Sequence, residues 1–215
     1  MAKKNKKDWK AACRYEMRKA ALKEAKAKTG NKDPAFIYRL EHVKAVVKQA
    51  RKLARLTGAD EDIVVAAAWL HDVKKFEDSA RHAELGAEFA KKFLKETDFP
   101  KKKINAVSDA IRVHAGLWRD EPLEHLEAQV LWDADKLTKV GLTAIFHWIP
   151  GNVARMDKSF TTEDFVKGGH ENDWQDKTVA SFHTEHARRA GKARLKSFRK
   201  LWHKLEAELK AADLK

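Results

Sequence analysis

Apolar positions along the chain recur at helical spacing. Val43, Val46, Val47, Ala50, Leu53 and Ala54 follow the i, i+3, i+4, i+7 rule of one buried helix face, and Phe198, Leu201, Trp202, Leu205 and Leu209 repeat it near the C-terminus. No run of alternating β-branched residues bounded by turn signals competes with this pattern. Punctuation sets the ends. Gly30 and Gly58 follow helical runs at the position where a left-handed residue closes a helix. Asp60 reads as an N-cap with Glu61 and Asp62 in the first turn, Ser79 and Asp98 are further cap candidates, and Pro34, Pro100 and Pro122 stand where helices would begin. Spacing and punctuation together predict helices near 8–27, 35–56, 60–73, 79–96, 101–114, 123–147 and 175–210, and hence an all-α fold.

One stretch departs from the helical pattern. Residues 148–174, WIPGNVARMDKSFTTEDFVKGGHENDW, carry four Gly/Pro residues and little periodicity. Two readings stand side by side: a lid or substrate wall, and a surface excursion with a short helix at 161–167.

Composition adds limits. A chain of 215 residues with 43% hydrophobic content can bury one good core. No stretch reaches the roughly 18–20 apolar residues of a membrane helix. The opening MAKKNKKDWK lacks the apolar segment of a secretory signal, and the single Cys13 can form no internal disulfide. A soluble, cytoplasmic protein with no membrane partner is the expectation. The net charge of +13 is unevenly placed: residues 1–32 hold 12 Lys/Arg against 3 Asp/Glu, residues 187–215 hold 10 against 3, and the middle is slightly acidic. Basic ends attract polyanions, so a basic helical scaffold that engages RNA is one reading. Neither end contains a nucleic-acid motif, and Lys-rich helices are commonly solvated faces.

The chemistry concentrates on three helices. RLEHVKAVV places His42 on or beside an apolar face, AAAWLHDVKK ends an apolar helix in adjacent His71 and Asp72 followed by Lys75, and AQVLWDADKL sets Asp133 and Asp135 directly after Val130, Leu131 and Trp132. Carboxylates embedded in core-like segments are costly without a partner, and a divalent cation would remove that cost. Imidazoles and carboxylates make a mixed N/O donor set suited to Mn²⁺, Fe²⁺, Co²⁺, Ni²⁺ or Mg²⁺. Without a cysteine ligand, a structural zinc is not indicated.

These residues carry a resemblance. His42, then Leu70, His71 and Asp72, then the DADKL of 133–137 match, in order and spacing, the H…HD…D signature of the HD-domain phosphohydrolase superfamily. The match spans roughly 36–147 and is most similar to small bacterial HD proteins that act on nucleotides. The resemblance implies an HD-domain helical bundle over 34–215 with a long C-terminal helix, preceded by a basic helical extension at 1–33. It implies one divalent metal ion (Mn, Fe, Ni, Co or Mg) held by His42, His71, Asp72 and Asp135. Asp135 is preferred to Asp133 because it precedes Lys136 and Leu137, as the family's final ligand does; Asp133 would sit behind the ligands or cap the following helix. Lys75 matches the lysine of the HD-x-x-K string and would contact a substrate phosphate, and Asp72 and Lys75 would be the catalytic residues. His82 and His114 fall where relatives place histidines that bind phosphate or a second metal, and Arg39 would offer a further phosphate contact.

Two departures bear on what carries over. Lys74 replaces the glycine common before that lysine, and His114 stands alone where two-metal members show a pair. The implied function is metal-dependent hydrolysis of a phosphate ester or phosphoanhydride of a small molecule, a nucleotide first. A phosphodiesterase or hydrolase acting on cyclic nucleotides or a guanosine alarmone comes second.

Competing accounts exist for several of these residues. Lys75 reads equally as a solvated lysine, His82 as the third residue of a helix capped by Ser79, and His114 as a helix-end imidazole favoured by the dipole. His125, His147, His170, His183, His186 and His203 show no partner pattern. Trp9, Cys13 and Met17, four residues apart, would dock the N-terminal helix on the core.

Overall fold

The computed structural model describes residues 6–145, 161–171, 173–212 and 214. Helix α1 (Trp9–Thr29) begins where two carboxylates meet its free amides. Asp8 accepts from Ala11 N at 2.7 Å, and Asp98 accepts from Trp9 N at 2.8 Å. Asp98 therefore caps a helix 89 residues away in sequence rather than the one that follows it. Trp9, Cys13 and Met17 form the expected buried stripe, Ala21 and Glu24 continue it, and Gly30 closes the helix at φ 68°. Helix α2 (Tyr38–Thr57) buries Leu40, His42, Val43, Val46, Val47, Ala50, Leu53 and Ala54 and ends at Gly58 with φ 79°.

Helix α3 (Glu61–Leu70) is capped by Asp60, whose side chain accepts from the amides of Asp62 and Ile63. Every residue from Ile63 to Leu70 is buried, because this helix packs on α1, α2 and two later helices, α4 (His82–Phe93) and α5 (Ile104–Arg112). Short 3-10 turns at Leu94–Glu96 and Lys101–Lys103 join α4 to α5. Helix α6 (Leu126–Leu137) follows, then a 3-10 turn at Leu142–Ala144. Helices α7 (Thr162–Glu171), α8 (Trp174–Ala180) and α9 (Glu185–Leu209) complete an all-α fold.

Several boundaries differ from the periodicity. Helix α3 ends at Leu70, and residues 71–77 are turns. Asp78, not Ser79, takes the amides of Ala80 and Arg81 ahead of α4, so His82 is the first residue of its helix. Helix α6 stops at Leu137 and runs uninterrupted through Asp133, which therefore lies inside a helix rather than at the start of one. The span 175–210 is two helices, since Thr184 accepts from Ala187 N and starts α9 afresh. Part of the irregular stretch is the ten-residue helix α7, longer than the short helix expected there. Its portion at 148–160, where a lid or substrate wall was one reading, and His147 lie outside the described residues.

The chain groups into two compact units. The first runs to Gly116 and includes Leu123–Asp135; the second comprises Leu117–Pro122 and the chain from Lys136 onward. In the second, α7 and α8 each pack on α9, around Ala144, Val166, Phe198 and Trp202 with Ile145 and Leu205 against them. Among the described residues, no helix is long and apolar enough to cross a membrane.

Candidate metal centre

The first unit gathers its buried polar groups at helix ends. His42 lies one turn into α2, His71 and Asp72 follow the last residue of α3, His82 opens α4, His114 follows α5, and Asp135 stands near the end of α6. All six are buried, His71 completely. Local chemistry explains the turn after α3. The apolar run stops at Leu70, and the backbone bends through turns bonded from Val73 N to Leu70 O and from Lys75 N to Asp72 O. That bend delivers His71 and Asp72 side by side.

Asp72 is the hub. Its Oδ2 lies 3.6 Å from His71 Nε2 and 3.7 Å from His42 Nε2. Its Oδ1 lies 3.7 Å from both His82 Nε2 and His114 Nε2. His42 Nε2 is in turn 3.2 Å from Asp135 Oδ1. The rings of His71 and His114 approach edge to face at 4.9 Å, and those of His82 and His114 at 5.0 Å.

Three of these imidazoles are oriented in the same way. His71 Nδ1 lies 2.8 Å from Ala68 O, His82 Nδ1 2.9 Å from Ser79 O, and His114 Nδ1 2.6 Å from Ile111 O. A carbonyl oxygen only accepts, so each Nδ1 donates and carries the proton. Each ring then turns Nε2 toward Asp72. Burial pushes His71 down to about 3, which keeps it neutral at physiological pH. Burial, His114 and Lys75 push His82 down to about 4. At His71 the result is a lone pair facing a carboxylate oxygen, an arrangement that repels itself unless a cation lies between. His71 Nε2 is buried and makes no hydrogen bond to any described residue.

Donor chemistry and spacing both fit a divalent ion. Donor atoms of His42, His71 and Asp135 all lie within 4.8 Å of one another, as do those of His71, Asp72 and His114. Neutral nitrogen and carboxylate oxygen without sulfur form the set that borderline and hard divalent cations take.

The charge balance around Asp72 involves an element outside the motif. Arg39 Nη1 donates to Asp72 Oδ2 at 2.5 Å, and Arg39 Nε donates to Glu24 Oε2 at 3.0 Å. Arg39 thus has two carboxylate partners. Burial works to raise the Asp72 carboxyl, but His71, His114 and the Arg39 guanidinium around it hold it well below the usual range. Glu24, from α1, is a residue that motif reading missed. The signal was present, because Glu24 extends the buried stripe of Trp9, Cys13, Met17 and Ala21 by one helical step. Lys75 Nζ sits 3.2 Å from His82 Nδ1 and 3.3 Å from Nε2; with Nδ1 protonated, Nε2 is the acceptor. Asp133 is fully buried, within α6.

Residues 39–139 match the HD domain family. Among curated proteins, none matches the chain significantly in sequence. A protein described as a predicted HD superfamily hydrolase, from an uncultured Thermotogales bacterium, has a similar structure, with TM-score 0.65 and 24% identity over 93% of this chain and 92% of that one. YpgQ of Bacillus subtilis is also similar, with TM-score 0.68 and 16% identity over 93% of this chain and 95% of its own. The structure of YpgQ in complex with ADP gives TM-score 0.65 and 17% identity over 93% and 97%. The chain thus carries an HD-domain match over residues 39–139 and shares its all-α fold with these solved structures, one of them described as a predicted HD superfamily hydrolase.

Proposed function

We propose that this chain is a metal-dependent phosphohydrolase of a small phosphate ester or phosphoanhydride, a nucleotide first, with His42, His71, Asp72 and Asp135 as ligands of one divalent ion. The observation that carries this reading is the convergence of four imidazole Nε2 atoms on the buried Asp72 carboxylate, with Nδ1 of three rings tied to backbone carbonyls. When bound, the ion supplies Lewis acidity toward a phosphoryl oxygen and toward the attacking water.

The chain's own groups do the rest. Arg39 holds the Asp72 carboxylate in place through Oδ2, and Glu24 holds Arg39. Lys75, beside His82, provides a positive charge for a substrate phosphate. His82 and His114, whose Nε2 atoms face the same carboxylate oxygen, would bind phosphate and assist the leaving group once protonated at Nε2 as imidazolium donors. The ADP bound by YpgQ supports nucleotides as the first substrates to screen, ahead of cyclic nucleotides and alarmones.

The first test is elemental analysis of the purified protein and its His71→Ala variant. Near-stoichiometric Mn, Fe, Ni or Co that falls in the variant is the expected result, followed by nucleotide hydrolysis that chelation and Asp72→Ala both abolish. Full activity in the Asp72→Ala protein would overturn the mechanism. Absence of metal from both proteins after incubation with Mn²⁺ or Mg²⁺, with RNA binding that survives loss of His71, would point instead to the basic scaffold.

A further inference from the structure

Within the second unit, helices α7 and α9 bring together three side chains that belong to neither the HD signature nor the site above. His170 lies at the C-terminal end of α7, and His203 and Glu206 stand one turn apart on the same face of α9. Their candidate donor atoms all lie within 4.8 Å of one another. His170 Nε2 is 3.1 Å from Glu206 Oε2, and the two imidazole rings are 4.7 Å apart at 52°.

We propose that His170, His203 and Glu206 form a second metal site, for a borderline transition cation of the Zn²⁺ class, that clamps α7 to α9.

Four observations support the site. First, two imidazoles and one carboxylate are a donor set that Zn²⁺ accepts in tetrahedral form, leaving a fourth position to water. Bonds of about 2.0–2.2 Å place tetrahedral donors about 3.4 Å apart. The His170–Glu206 spacing of 3.1 Å already meets that figure, and the 4.8 Å limit on the rest leaves an adjustment of at most about 1.4 Å.

Second, the residues next to the ligands lock the two helices. Gly169 packs so tightly on Trp202 that a Cβ there would lie 2.3 Å from the indole ring. Trp202 and Val166 are buried in the same cluster with Phe198. His170 and His203 directly follow this contact in sequence, so packing, rather than the ion, brings their backbones together.

Third, Lys210 Nζ holds the other oxygen of Glu206, Oε1, at 2.7 Å. The carboxylate is thereby oriented with Oε2 toward the imidazole, as a supporting partner orients a ligand. Fourth, the two histidines are exposed and Glu206 is half-buried, so an ion enters from solvent without opening the core. An ordinary surface ion pair would account for His170 and Glu206 but gives no reason for His203 to face them.

The test is Zn²⁺ titration of full-length protein carrying His71→Ala, stripped of metal, with bound zinc read by elemental analysis and melting temperature followed in parallel. One equivalent of bound Zn²⁺ and a melting temperature that rises with its concentration are expected. Adding His203→Ala or His170→Ala should weaken that binding at least roughly tenfold, the scale on which losing even a supporting partner is felt. Co²⁺ in place of Zn²⁺ should give visible absorption that the same substitutions remove. Otherwise wild-type protein carrying His203→Ala alone should keep its nucleotide hydrolysis. Equal zinc binding with and without His203, or no zinc retained by His71→Ala protein, overturns the proposal. Failure of the HD-centre reading is distinguishable, because wild type and His71→Ala would then bind equal zinc while the His203 effect persisted.

Discussion

Arg39 spans two buried carboxylates, Glu24 on α1 and Asp72 beside the HD-motif histidine. Removing it takes a charged partner from each. Arg39→Leu is expected to destabilise the protein by about 3–5 kcal/mol, the range for breaking a buried charge pair from one side, read from urea denaturation midpoints. Arg39→Lys should recover only part of this, since an ammonium lacks the fork that serves two acceptors. A loss under about 1 kcal/mol for Arg39→Leu would mean that neither carboxylate depends on it. Glu24 makes a pH prediction with a definite sign. Burial would raise its carboxyl, but Arg39 and then Lys28 hold it below the ordinary value. A depressed carboxylate contributes stability above its unfolded pKa and loses it as pH falls through the folded one. Glu24→Gln should therefore be less stable than wild type at neutral pH, with the gap closing in acid. A gap that widened in acid would contradict the assignment. Cys13 is fully buried, and burial with Asp8 and Glu16 pushes its thiol up to about 12. Thiolate being the reactive form, a disulfide-exchange reagent at pH 8 should label Cys13 only when the protein unfolds.

At the scale of elements, helix existence was readable and helix ends less so. The stripes on α1 and α2 and the closing glycines at 30 and 58 stand where the pattern puts them, because burial of one face and a left-handed terminal residue are local requirements. The break inside 175–210 was not legible, since no glycine or proline marks it. Thr184 caps α9, and Phe182 is buried so close to Gly191 that a Cβ there would meet its ring at 2.5 Å. Tertiary contact, not propensity, ends α8. The same closeness makes Gly169 a test of the α7–α9 contact. Gly169→Ala drives a methyl into Trp202 and should cost about 1–3 kcal/mol, as overpacking does, with tryptophan fluorescence reporting the loosened contact. A neutral Gly169→Ala would show that Trp202 can move aside freely.

For the whole molecule, a cation that binds only the folded chain must stabilise it by mass action. Melting temperature should fall on chelation and rise again with Mn²⁺ concentration, by about 2.7 kcal/mol of stability at one hundred times the dissociation constant. His71→Ala protein should show no such Mn²⁺ response. A melting temperature indifferent to chelation in wild type would remove the metal from the account.

What the sequence by itself determined was the helical pattern, the order of the HD signature, and the identity of donors able to serve a divalent ion. Those are local properties: periodicity follows from 3.6 residues per turn, and donor chemistry belongs to each side chain. What only the tertiary structure decided was which of these groups meet. Asp72 became a hub, Glu24 of α1 reached Arg39, and His170 came against His203 and Glu206. The physical reason is that side chains distant in sequence share one ion or one proton only after packing fixes their backbones, and packing is set by the complementarity of whole helix faces.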